Sequence, residues 1–249
     1  MDLAPVQDAR LLVDATQRRR LDYLRFTDWQ REYLSDDSPS ALLRGGNQIG
    51  KTIAKHAEII HRCRGTHPFK KTHRPPINAL VLSESWEQMG QAGGYMEKLW
   101  ELLPKDEIDP KIRFEPGRGI TGKPPRVVFV AGPGKGSVIS FGTYRQGASR
   151  VAGSTVHFVD LDEPGPESVL HEVMPRLLRH GGHIRIGFTP VLNMPDQSWL
   201  RKLVGAGEVR EFNPWLKESN CWPRGNPAPW LGQADIDRVS RAWPEAIRA

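Results

Sequence analysis

Hydrophobic positions along the chain follow two rhythms. Short apolar-rich runs alternate with longer stretches in which apolar residues return every three or four positions. Asn78-Ala-Leu-Val-Leu-Ser83, Val156 to Leu161 and His183 to Phe188 are runs of the first kind, and Ala41 to Leu43 is a shorter one. Runs apolar on both faces predict strands of a parallel sheet covered by helices. Residues 8–35 predict helix, with Leu11, Leu12, Leu21, Leu24 and Tyr33 spaced among charges, and so do Thr52 to Cys63 and Trp86 to Leu103. Ile112 to Glu115, Arg126 to Ala131 and Ser137 to Thr143 are separated by Gly/Pro turns and predict antiparallel strands. The order predicts an α/β fold, a mainly parallel sheet flanked by helices with an added antiparallel hairpin.

The pattern fades after residue 213. Asn213 to Gly232 holds four prolines and three tryptophans without a clear period, and Ala234 to Ala249 reads as a short helix. The expected organisation is a core over 1–204, including an N-terminal helical segment, and a peripheral linker or lid subdomain over 205–249.

Composition narrows the class. With 38% hydrophobic and 26% charged residues, the 249-residue chain is globular. It lacks a run of about 18 apolar residues, so no membrane span is expected. The N-terminus mixes charges through its apolar positions, unlike a signal peptide. Cys63 and Cys221 are isolated and imply a reducing compartment without a disulfide framework. The net charge of +6 suits a polyanion such as nucleic acid, and suits a solvated basic surface equally well.

Specific chemistry enters at Gly45-Gly46-Asn47-Gln48-Ile49-Gly50-Lys51-Thr52, which satisfies the phosphate-loop pattern between a strand and a helix. Glycines let backbone N–H groups turn toward phosphates, and the following helix points its N-terminal dipole at them. Lys51 is placed to reach the β- and γ-phosphates of ATP and Thr52 to ligate Mg²⁺. The acidic partner is the strand end Asp160-Leu161-Asp162-Glu163, at the edge where ligands bind in open α/β sheets. Asp162 is expected to hold the Mg²⁺ shell and Glu163 to orient and deprotonate the attacking water. In a persisting strand Asp160 shares the face of Asp162 and opposes Glu163. Thr189, ending the strand Ile184 to Phe188, offers a hydroxyl to the γ-phosphate or the water. Gln30 is a candidate reader of the adenine edge, with Phe26 or Trp29 packing the base.

In this order the motifs resemble the ATPase domain of the large terminase subunit of tailed bacteriophages. The residues that carry the resemblance are "FTDWQREYL", "GGNQIGKT", "NALVLSES", "RVVFVAGPGKGSVISFGT", "SRVAGSTVHFVDLDEP", "GFTP" and the tail "GNPAPWLGQADIDRVSRAWPEAIRA", spanning about residues 22–249. The resemblance implies a P-loop fold of the RecA/ASCE type and an ATP- and Mg²⁺-dependent motor. Such a motor drives double-stranded viral DNA into a procapsid. Its implied partners are the portal or procapsid, the small terminase subunit and further copies in a homo-oligomeric ring. The chain is expected to be a monomer in isolation and to act in the host cytoplasm without a membrane.

Related loops often carry a basic residue where this chain has Asn47, so an arginine finger must come from elsewhere. Arg150, thirteen residues before Glu163, is the first choice, with Arg145 and Arg44 behind it. Full-length members add a metal-dependent nuclease. Here Glu208, Glu211, Glu218, Asp235, Asp237 and Glu245 follow residue 200, none on a strand-like apolar run, so these 249 residues are expected to cut no DNA.

Other signals are weaker. His61, Cys63, His67 and His73 lack the paired spacing of a zinc site. Basic residues from Arg62 to Arg74, and Arg113, Arg118, Lys123, Arg126 and Lys135, fit DNA phosphates or a solvated face. Trp199, Trp215, Trp222, Trp230 and Trp243 are expected to pack the C-terminal subdomain on the sheet. Two other classes remain: a truncated ATP-dependent helicase or remodeller, which would show a second RecA-like domain at full length, and a small-molecule kinase, which would need an arginine-bearing lid.

Overall fold

The computed structural model describes residues 18–46, 48–144, 155–190 and 197–214. Seven strands run in the order β5-β6-β2-β7-β8-β1-β9. They are β1 (Ser40–Arg44), β2 (Asn78–Ser83), β5 (Arg126–Val128), β6 (Val138–Thr143), β7 (Phe158–Asp162), β8 (His183–Phe188) and β9 (Arg210–Phe212). All neighbours are parallel except β5, which is antiparallel to β6. The remaining pair, β3 (Phe114–Glu115) and β4 (Gly119–Ile120), forms a separate small hairpin.

Strand alternation explains the apolar-rich runs. On β2, Ala79 and Val81 enter one core while Leu80 and Leu82 enter the other. The first core is covered by α2 (Lys51–Arg64), α3 (Trp86–Gly90) and α4 (Tyr95–Leu102). The opposite core is closed by α5 (Glu167–Leu178) and α6 (Ser198–Gly205), and Trp199 of α6 lies within it. Helix α1 (Asp28–Ser35) covers the β1–β9 end of the sheet, with Trp29, Tyr33 and Leu34 against Ala41, Leu43 and Phe212. Two strand positions on the α2 face break the apolar rule: Asp160 of β7 and Arg185 of β8 are fully buried.

Several elements differ from the sequence expectation for local reasons. Within the described part of residues 8–35 the chain forms a 3₁₀ turn, Arg20–Tyr23, and starts again at α1. The Gln30 side chain accepts from the Thr27 N–H at 2.9 Å, giving α1 its own start. The single helix expected over 86–103 is two, because Gly93 sits at φ +70° between α3 and α4. The strand Ser137 to Thr143 belongs to the main sheet, parallel to β2, and is antiparallel only to β5. β9 opens the segment expected to be a lid and pairs with β1 as an edge strand of the same sheet. Glu211, expected off any strand, sits on β9 and pairs with Arg44 at 2.6 Å.

Much of the basic stretch after residue 60 is internal. Glu58, fully buried, accepts from Arg62 at 2.7 Å, from His67 at 2.6 Å and from Lys70 at 2.9 Å. Burial opposes its charge, but Arg62, His67 and Lys70 overcome this and hold the Glu58 carboxyl well below its ordinary range. Arg64 forks onto both oxygens of Glu107 at 3.0 and 2.8 Å. These cations are therefore not available to DNA phosphates. His73 is spent on the His180 carbonyl at 2.6 Å. Among the described residues no His, Cys, Asp or Glu group is arranged to hold a metal, and no helix is long and apolar enough to cross a membrane.

Helix α2 ends at Gly65, φ +64°, where an added Cβ would stand 2.6 Å from Cδ of Pro75. Gly65→Ala combines a left-handed alanine with that clash and is expected to cost about 1–3 kcal/mol, read from urea unfolding midpoints. An unchanged midpoint would show that the 65–76 loop moves freely.

Candidate active site

The site lies at the C-terminal ends of the parallel strands, where the first turn of α2 faces the ends of β7 and β8. A cavity of about 1020 Å³ opens there, lined by Gln48, Gly50, Lys51, Thr52, Asp162, Glu163 and Thr189, and on its far side by the α3–α4 connection. The loop backbone is bent for this purpose. Gln48 and Gly50 have φ of +64° and +89°, so that Gly50 turns the chain into α2. Lys51 Nζ donates to the Gly45 and Gly46 carbonyls, each at 2.7 Å. Burial lowers the Lys51 pKa to about 8, a pull that Glu163 partly opposes.

Across the cavity, the strand end divides its three carboxylates. Asp160 is buried and spoken for: Lys55 Nζ lies 2.8 Å from one oxygen and the Tyr95 hydroxyl donates to the other at 2.5 Å. Asp162 is the last strand residue and lines the cavity, with Lys55 Nζ at 3.8 Å. Burial raises its pKa to about 6, against the pull of Lys55. The alternation expected for Glu163 ends here, because Glu163 adopts φ +73°, a region that non-glycine residues rarely enter. The turn brings Glu163 to the same cavity as Asp162. Its Oε2 accepts from the Thr189 N–H at 2.9 Å. The Thr189 backbone thus holds Glu163, while the Thr189 side chain lies at the cavity wall.

Gln30 is nearby yet does not line the cavity. Its amide nitrogen donates to the Gly50 carbonyl at 3.2 Å while its oxygen takes the Thr27 N–H. Of the finger candidates, Arg44 is tied to Glu211. Arg145, Arg150 and the loop residue Asn47 lie outside the described residues.

Sequence reasoning missed Lys55, Tyr95 and Gly187. Lys55 is four residues after Lys51 on the sheet-facing side of α2, and a lysine at an apolar-face position is the signal that was available. Its Nζ also donates to the Leu161 carbonyl at 2.8 Å. Gly187 of β8 leaves the passage: a Cβ there would lie 2.6 Å from Lys55 Nζ.

No family model matches the chain. The chain is 25% identical over 200 residues to the large terminase subunit of Salmonella phage P22, matching 67% of this chain and 39% of that protein. It therefore spans about two fifths of the length of this curated relative. Its fold is that of phage large terminase ATPase domains. The ATPase domain of the Thermus phage P74-26 large terminase superposes with a TM-score of 0.59 at 15% identity, over 92% of each chain. A point mutant of that domain gives 0.54 at 18% identity. The large terminase of a second thermophilic bacteriophage, solved in complex with ADP, gives 0.59 at 12% identity over 88% of this chain and 50% of that one.

The raised pKa of Asp162 makes its charge a liability for folding. A carboxyl whose pKa rises from 3.8 unfolded to about 6 folded favours the native state fully below pH 3.8, and that advantage is lost as pH rises through 6. Asp162→Asn should therefore be more stable than the parent at pH 7.5, by about 1–3 kcal/mol, and lose the difference near pH 4. Thermal unfolding at both pH values, without nucleotide or metal, checks this. A parent that is the more stable of the two at pH 7.5 overturns the assigned electrostatics.

Proposed function

We propose that the chain is the ATP-hydrolysing motor domain of a phage large terminase, driving double-stranded viral DNA into a procapsid. One observation carries the reading: Lys51, Thr52, Asp162, Glu163 and Thr189 converge on one cavity in a sheet where β8 separates the loop strand from the carboxylate strand. The likeness to terminase ATPase domains supports the substrate class. A kinase reading is weaker, because Glu163 faces the cavity with its carboxylate anchored by a backbone N–H.

In this reading ATP phosphates replace the Gly45 and Gly46 carbonyls as partners of Lys51 Nζ. They lie over the N-terminus of α2, within the loop Gly45 to Gly50. The Thr52 hydroxyl and one Asp162 carboxylate are hard oxygen donors that fit Mg²⁺, which commonly takes few protein ligands beside phosphate oxygens. When bound, the ion neutralises charge on the β- and γ-phosphates. Glu163, its Oε2 fixed by Thr189 N–H, uses its remaining acceptor capacity to orient the attacking water and take its proton. The Thr189 hydroxyl faces the γ-phosphate. We assign Gln30 to the loop instead of the base, because its amide is engaged with Gly50 and Thr27.

Arg150 is the proposed finger, reaching a neighbouring subunit in a ring on the capsid. The portal or procapsid, the small terminase subunit and double-stranded DNA are its proposed partners, and the host cytoplasm its place of action. The 205–249 segment, whose β9 pairs at the sheet edge, is proposed as a peripheral linker or lid subdomain of the motor.

Glu163→Gln should keep ATP affinity and lower turnover by about 10²–10⁴, whereas Lys51→Ala should weaken nucleotide binding itself. Equilibrium binding of a fluorescent ATP analogue and phosphate release separate the two. Parental turnover by Glu163→Gln removes that residue from the chemistry.

The finger is testable by mixing. Arg150→Ala should bind ATP normally yet turn over about 10³-fold more slowly in the assembled ring. Mixing inactive Glu163→Gln with inactive Arg150→Ala subunits should restore part of the activity, since each supplies what the other lacks. Co-assembled mixtures that stay inactive exclude a finger acting between subunits at this position.

A further inference from the structure

Tyr144 follows β6, two strands away from β7, yet its hydroxyl donates to the Glu163 carbonyl at 2.6 Å. The Leu82 carbonyl at the end of β2 lies 3.3 Å from the same oxygen. One phenol therefore spans the C-terminal ends of β6, β2 and β7. Room for the ring comes from Gly165, where a Cβ would stand 2.9–3.0 Å from its carbons.

The residue it grips is Glu163, held at φ +73°. Such a turn persists only where its surroundings fix it. Two groups do so from opposite sides: Thr189 N–H takes the carboxylate, and Tyr144 takes the peptide carbonyl. We propose that Tyr144 is a positioning residue for Glu163, its O–H fixing the peptide so that the carboxylate stays aimed into the cavity. The inference rests on the reading of Glu163 as the water-activating group. Burial pushes the phenol well above its ordinary pKa, so it remains a donor throughout the neutral range.

Tyr144→Phe removes one oxygen and keeps the ring. Losing a single buried hydrogen bond that acts through Glu163 should lower kcat about tenfold. KM for ATP and affinity for fluorescent ADP should stay at parental values, and Tm should fall by only about 2–4 °C, the cost of one hydrogen bond. Gly165→Ala, which drives the ring aside, should lower kcat similarly in the parent and add little in the Tyr144→Phe background, because both act through one contact. A parental kcat for Tyr144→Phe overturns the proposal, and so does a fall in kcat matched by lost nucleotide affinity or by a Tm loss of about 10 °C or more, which marks general disruption. Fully multiplicative effects of the two variants overturn it as well. Glu163→Gln measured alongside separates the layers. If it is inactive while Tyr144→Phe is unaffected, only the role of Tyr144 falls. If it hydrolyses ATP at the parental rate, the reading of Glu163 falls.

Discussion

The architecture depends on the buried ion pair between Lys55 and Asp160, which are 2% and 0% exposed. Taking both charges out of water costs several kcal/mol each, so such a pair is tolerated only with further hydrogen bonds. Here Tyr95 supplies one to Asp160, and the Leu161 carbonyl takes another from Lys55. The pair bolts the phosphate-loop helix to the carboxylate strand although β8 runs between β7 and β1, the strand that leads into that helix. Thr52, one turn before Lys55, and Asp162, two residues after Asp160, are held across the cavity by it. Tyr95 carries the same constraint to α4 and so to the far wall of the cavity.

One turn further along α2, near its middle, a second set of charges holds the helix. Glu58 gathers Arg62, His67 and Lys70, and Arg185 approaches it from β8 at 3.9 Å. Arg185 also donates to the Ser38 and Asp36 carbonyls ahead of β1. The helix is thus fastened to the sheet by polar contacts on two successive turns, at Lys55 and Glu58, with Ile59, Ile60 and Cys63 packing into the core beside them.

What was legible in the sequence was what has a period or a fixed spacing. β2 and β8 occupy the residues their apolar runs mark, and the loop pattern falls between β1 and α2 as its chemistry demands. The break between α3 and α4 escaped, because periodicity carried across Gly90, Gly93 and Gly94 while only the φ of Gly93 ends it. Asp160 and Asp162 could not be separated by pattern, since they share a face. What separates them is Lys55, which reaches the deeper one. The basic run after residue 60 read as a candidate nucleic-acid surface because charge count is blind to direction. Arg62 and Arg64 point inward, to carboxylates 4 and 43 residues away along the chain.

The absent side chain at Gly187 has an evolutionary corollary. With a Cβ there 2.6 Å from Lys55 Nζ, positions 55 and 187 behave as one choice, not two. An alanine at 187 would have to displace the end of the side chain at 55, and with it the partner of the buried Asp160 anion. What 187 tolerates is then set by what stands at 55 and 160, and in an alignment of relatives the three positions should covary.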